Sequence, residues 1–123
     1  MYLAEAQRLS QTGSFGWNIA TGEFVWSEET FHIFGYDPTI SPTLDLVVER
    51  VHPDDRAVVQ QIIDRASGER RDFDREFRLL MPDGTEKHVR ALARVTHDAP
   101  GGLEFTGAVM DVTAAKRIEL ELR

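Results

Sequence analysis

Four histidines, one pair of adjacent aspartates and one Gly-x-x-Gly are the residues whose types could do chemistry in this chain. The histidines are His32, His52, His88 and His97. No two stand at a metal-ligand spacing such as His-x-x-x-His, so each is read as a surface or capping residue. Asp54-Asp55 could serve a metal or an acid–base step. They follow His52-Pro53, however, and two carboxylates at the positive end of a helix are accounted for as capping charges, which is the reading adopted. Gly13-Ser14-Phe15-Gly16 lacks the Lys-Ser/Thr of a phosphate loop, and a strand pattern follows it, not a helix. There is no Gly-x-Ser-x-Gly and no nucleophile–base constellation. The chain has no cysteine, which removes disulfides, thiol nucleophiles and thiolate metal ligands, and fits a reducing cytosol. No catalysis is expected from these residues.

The composition narrows the partners. At 123 residues the chain reads as one domain with a real core. Its net charge of −7 argues against nucleic acid or an anionic membrane surface, since both select basic patches. No apolar run approaches the roughly 20 residues of a membrane span, and Met1 opens no signal-peptide pattern.

The elements follow from periodicity. Tyr2 to Gln11 reads as an amphipathic helix with Tyr2, Ala6 and Leu9 on one face, ended by Thr12-Gly13. That helix lies on the domain or pairs with a second chain; the residues leave both open. Phe15, Trp17 and Ile19 alternate in a strand, Ala20 to Glu23 turns, and Phe24-Val25-Trp26 returns. Ser27 is the natural N-cap of a helix Glu28–Phe34, with Gly35 as its left-handed stop. Ser41-Pro42 reads as the start of a helix carrying Leu44, Val47, Val48 and Val51. The helix after His52-Pro53 carries the stripe Val58, Val59, Ile62, Ile63 and Ala66, and Ser67-Gly68 should end it.

Two further strands, Asp72–Leu80 and Glu86–Thr96, flank the Asp83-Gly84 of a hairpin turn. Asp98 to Gly102 predicts the next turn. The last strand alternates Leu103, Phe105, Gly107 and Val109, then meets Asp111-Val112-Thr113. From Ala114 the residues are helix formers with no stop, and Ala115, Ile118 and Leu122 begin an apolar seam. This order predicts an α+β fold, one antiparallel sheet with short helices on one face. Ala91, Ala93 and Gly107 leave room on the inner face, for helix side chains or for a small ligand.

Several of these pieces, in this order, resemble a PAS domain of the subtype common in bacterial sensory proteins. They are Gly13 to Asn18 with Thr21-Gly22, Trp26-Ser27 through Phe34-Gly35-Tyr36, and Val51-His52-Pro53-Asp54-Asp55-Arg56. Glu76-Phe77-Arg78-Leu79 with Pro82-Asp83-Gly84 follows, and Gly107 with Asp111-Val112-Thr113 closes the set. The resemblance covers essentially the whole chain. It departs at His88, where the subtype often has Trp, and at Ala114, where a charged residue is frequent.

The resemblance implies a five-stranded antiparallel sheet, residues 13–113, flanked by an N-terminal helix (1–12) and the start of a C-terminal signalling helix (114–123). It implies a cytoplasmic sensory and dimerisation module of a larger bacterial signalling protein, first of all a sensor histidine kinase with its catalytic parts beyond Arg123. A passive interaction module and a module of a cyclic-dinucleotide enzyme are the alternatives. Haem-binding members take a His from the middle helix, and Val58 to Ala66 holds none; light-sensing flavin members need a Cys. A small non-covalent ligand or an empty core is left, with Phe34, Ile62, Phe77, Ala91, Ala93, Phe105 and Gly107 as the candidate pocket. Asp111, Val112 and Thr113 are the expected signal-coupling residues, Thr113 as N-cap and Asp111 as an anchor to a neighbouring strand or loop. Tyr2, Ala6, Leu9, Ala115, Ile118 and Leu122 are the expected coiled-coil contacts of a homodimer, with adjacent signalling domains as the other partners.

Overall fold

The computed structural model describes residues 2–99 and 102–122. Its elements are α1 (Tyr2–Ser10), β1 (Thr12–Asn18), β2 (Phe24–Trp26), α2 (Glu28–Phe34), α3 (Leu44–Arg50), a 3-10 turn Pro53–Asp55, α4 (Arg56–Glu69), β3 (Phe73–Leu80), β4 (Glu86–Ala99), β5 (Gly102–Asp111) and α5 (Thr113–Glu121). The strands form one antiparallel sheet in the order β2-β1-β5-β4-β3. The predicted α+β sheet with helices on one face is the observed architecture.

The period-two pattern sends Phe15, Trp17, Val89, Phe105 and Val109 to the inner face. There they meet Phe31, Ile33 and Phe34 of α2 and Val59 of α4. Trp26 stacks on Phe34 with centroids 5.0 Å apart, and Trp17 stacks on Phe24 at 5.3 Å. A side chain at Gly13 would collide with the backbone of Thr30, so glycine there lets α2 lie directly on β1. The last carbonyls of α2 are taken by long cations from elsewhere: Lys87 Nζ donates to Ile33 at 2.9 Å and Arg50 Nε to Phe34 at 2.7 Å. Gly35 closes the helix with φ 76.

Several boundaries differ from expectation, each for a tertiary reason. The first helix ends at Ser10 because Gln11 turns with φ 54 and its carbonyl accepts from Asp111; Thr12-Gly13 is already strand. Ser27 sits at the N-cap of α2, but its hydroxyl accepts from the Ser14 N–H at 2.9 Å and pairs with the Thr30 hydroxyl at 3.2 Å, and it caps no backbone N–H of the helix. The cap of α3 is Thr43, which accepts from Leu46; Ser41-Pro42 lie ahead of it. The helix α4 runs through Ser67-Gly68, since the Ser67 hydroxyl donates back to Ile63 and Arg70 supplies the left-handed residue. Of its predicted stripe only Val59 and Ala66 are buried. Strand β4 extends past Thr96 through Ala99, with a register shift between Val95 and His97. Of the turn predicted there, Asp98, Ala99 and Gly102 are strand, and Pro100-Gly101 lie outside the described residues.

The aspartate pair is also corrected. Asp55 does not cap α4. Its carboxylate accepts from the Arg78 backbone N–H at 2.8 Å and takes the guanidinium through both oxygens, at 3.1 and 2.7 Å. The N-cap of the 3-10 turn is His52, whose Nδ1 accepts from Asp54. Together with the His52 N–H on the Arg78 carbonyl and the Val51↔Leu79 bridge, this bolts the start of α4 to the sheet edge.

Candidate functional site

Two places compete for function: the inner cavity under the helices and the junction where β5 becomes α5. The cavity is small. It holds about 70 Å³, the share of liquid volume of about two waters and well short of the roughly 300–1,000 Å³ of small-molecule sites. Phe34, Ile62, Phe77 and Ala91 of the candidate pocket line it together. The other three do not. Ala93 faces an outer groove with Ile62. Phe105 is 1% exposed and packed between Trp17 and Phe73. Gly107 is filled over: a Cβ there would sit 2.8 Å from the Phe15 ring and closer still to the Leu92 carbonyl. Sequence reasoning missed Trp26, Thr30 and Phe73 in the lining. Thr30 is fully buried, and its hydroxyl donates to the Ser14 carbonyl at 2.8 Å, so the polar atom on that wall is already spent.

The junction is more tightly built. The β4–β5 ladder ends at Val89↔Asp111, yet pairing continues for one more residue by other means. Val112 N–H donates to the His88 carbonyl at 2.8 Å. The Thr113 hydroxyl accepts from the His88 N–H at 3.0 Å and donates to the Asp111 carboxylate, which also accepts from the Thr113 N–H at 3.0 Å. Both roles expected here change. Thr113 is the first helical residue and Val112 the cap, with no side-chain capping bond. Asp111 does not reach a neighbouring strand through its side chain; it holds Thr113, and Thr113 reaches β4. Nothing in the local sequence identifies His88 as the partner, since it lies 25 residues away.

On α5, Lys116 Nζ donates to Glu76 of β3 at 3.0 Å, which draws the helix toward the hairpin and raises the Lys116 pKa. Its apolar side chains stay outside: Ile118 is 58% exposed and Leu122 82%, and Ala115 is exposed too. On α1, Leu9 is 77% exposed and Ala6 is exposed; the Tyr2 side chain lies outside the described residues. Among the described residues no group of three or more His, Cys, Asp or Glu is placed to hold a metal ion. No described helix is long and apolar enough to cross a membrane.

A family model described as the PAS fold matches residues 23–109. A curated protein of Escherichia coli K12, "Probable diguanylate cyclase DgcE", is 31% identical over 107 residues, 86% of this chain and 10% of that protein. "Sensor protein FixL" of Bradyrhizobium diazoefficiens is 28% identical over 112 residues, 90% of this chain and 22% of that protein. The chain thus spans about a tenth and about a fifth of these two relatives. A solved structure of a sensory box histidine kinase/response regulator from Burkholderia thailandensis is 28% identical with a TM-score of 0.75, over 100% of this chain and 93% of that one. The N-terminal domain of a diguanylate cyclase with PAS/PAC sensor from Marinobacter aquaeolei, 20% identical with a TM-score of 0.76 over 85% of this chain and 98% of that one, shares the fold.

Proposed function

The chain belongs to the PAS fold family, and from that premise we propose that it relays a change in its core through β5 and the Asp111-Val112-Thr113 junction to a coiled-coil exit helix. It is a sensor domain of the signal-transduction kind, homologous to segments of a sensor protein, a sensory box histidine kinase and a probable diguanylate cyclase. The output domain of the full-length protein is a histidine kinase on the main reading and a diguanylate cyclase on the second, which the 31% identity to a probable cyclase favours. On either reading catalysis belongs to that other domain, and the module works in the cytoplasm beside the nucleotide its output domain consumes.

The observation that carries the proposal is the twofold attachment of the junction to one residue of β4, braced by a bond within the junction. The backbone N–H and carbonyl of His88 go to Thr113 and Val112, and Asp111 holds the Thr113 hydroxyl in place. Displacement of β5 along β4 must therefore strain or break these bonds, and the first turn of α5 moves with them. The exposed Ile118 and Leu122, with Ala115, supply a seam for a second copy of α5. Leu9 and Ala6 on α1 extend the same homodimer on the incoming side.

The test is Thr113→Val in the full-length protein, with Thr113→Ser beside it. Valine keeps the shape and loses both hydroxyl bonds, at a cost of about 1–2 kcal/mol. Stimulus-dependent output should be lost in the valine variant and kept in the serine variant. Normal regulation in both would overturn the relay.

A further inference from the structure

The ladder of β3 with β4 stops at Phe73↔Ala93. Beyond that pair the Val95 N–H goes to the Asp72 carboxylate, at 2.8 Å. A groove of about 510 Å³ opens here, between the later turns of α4 and the start of β3, within the size range of small-molecule sites. Its floor is apolar, with Ala66 and Ala93 each 2% exposed and Ile62 and Phe73 half-buried.

Its walls carry Arg65, Arg71, Arg75 and Arg94. Three carboxylates face it as well, and each is engaged. Glu69 pairs with Arg71 at 3.2 Å, Asp74 takes Arg90 through both oxygens, and Asp72 holds Val95. Arg75 gives an N–H to the Asp74 carbonyl at 3.2 Å. Arg65 and Arg94 have no carboxylate partner among the described residues. In a chain of net charge −7, two unpaired guanidiniums beside one apolar floor reverse the local field and match an oxyanion.

We infer that this groove binds a small amphipathic anion, an apolar body bearing a carboxylate or phosphate group. The body lies on Ala66, Ala93, Ile62 and Phe73; the acid lies between Arg65 and Arg94. Phe73 and Ile62 also line the inner cavity, and the Phe73 ring centroid is 6.0 Å from that of Phe105 on β5. The occupant is the input to the relay, a step that rests on the proposed function: it shifts Phe73, then Phe105, then the strand that ends at Thr113.

The experiment uses this chain and two probes with closely similar aromatic bodies, anilinonaphthalene sulfonate and the neutral N-phenylnaphthylamine. Arg65→Gln/Arg94→Gln should weaken the sulfonate by about tenfold or more and leave the neutral probe unchanged. Amide shifts on adding the sulfonate should centre on Ala66, Phe73 and Arg94. Equal sulfonate affinity in the variant, loss of both probes together, or shifts centred on α5 would overturn the site. Thr113→Val should leave sulfonate binding intact, so failure of the groove and failure of the relay are read separately.

Discussion

Asp111 and Gln11 are joined main chain to main chain, the Asp111 N–H donating to the Gln11 carbonyl at 2.9 Å. The bond ties the last residue of β5 to the residue that turns α1 into β1. Strand β1 runs antiparallel to β5, with Thr12 opposite Met110, so the end of the incoming helix and the start of the outgoing one share one end of the sheet. The end of α1 and the end of β5 are therefore held together at Gln11 and Asp111, beside the first turn of α5.

Asp111→Ala tests how that point is held. The substitution keeps the main-chain bond to Gln11 and removes the acceptor of the Thr113 N–H and hydroxyl. A loss of about 1 kcal/mol is expected, as for other helix-start side-chain bonds. Amide exchange should speed up at Thr113 to Lys116 and stay unchanged at Ala91 and Val109 in the ladder. Uniform exchange across the chain would show that Asp111 supports the fold and not the junction.

Gly107→Ala should be among the costliest small substitutions. A Cβ would collide with the Leu92 carbonyl oxygen and meet the Ala93 Cα at 2.9 Å, and neither backbone atom can move without breaking the β4–β5 ladder. Overpacking of this kind costs about 1–3 kcal/mol, a fall in Tm of roughly 4–12 °C for a chain of this size. Thermal unfolding by circular dichroism checks it. A change under 2 °C would mean that the two strands separate easily.

Asp55 makes the fold sensitive to acid. Hydrogen bonds from Arg78 hold its carboxyl pKa below the usual value. A folded pKa below the unfolded one means that stability is fully present above the unfolded value, near 4, and is lost as pH falls through the folded value. The wild type should therefore lose stability below about pH 4 more steeply than Asp55→Asn, and the gap between them should close in acid. Urea unfolding between pH 2 and 7 measures this; parallel curves would remove Asp55 from the account.

The exposed helix faces predict the assembly. Ile118→Asp/Leu122→Asp should weaken self-association of the full-length protein by tenfold or more in sedimentation equilibrium, about 1.4 kcal/mol or above, and leave the Tm of residues 1–123 unchanged. Undiminished self-association would place the dimer contact elsewhere.

Where the pattern was local, it was legible. The alternation of Phe105, Gly107 and Val109, the Asp83-Gly84 turn and the Gly35 stop each rest on a residue and its near neighbours. Four of the seven candidate cavity residues do meet, because inner-face parity follows from spacing. What was misread depends on partners far along the chain. Asp55 looks like a capping charge until Arg78, 23 residues on, is folded against it. Ser27 looks like a cap until Ser14 takes its hydroxyl. Thr113 looks like a cap for the same reason: its partner His88 belongs to strand β4, and short-range propensity does not choose among distant donors. Ala93 and Gly107 look like room in the core because the rings that fill or bypass that room, Phe15 and Phe73, are set by sheet order.

The central claim is that α5 carries the output by its rotational position. One residue inserted after Lys116 in the full-length protein rotates everything beyond it by about 100° and advances it by about 1.5 Å. Seven inserted residues restore the seam. Output activity measured with and without stimulus should lose its regulation with one added residue and regain it with seven. Regulation that survives the single insertion unchanged would contradict the relay.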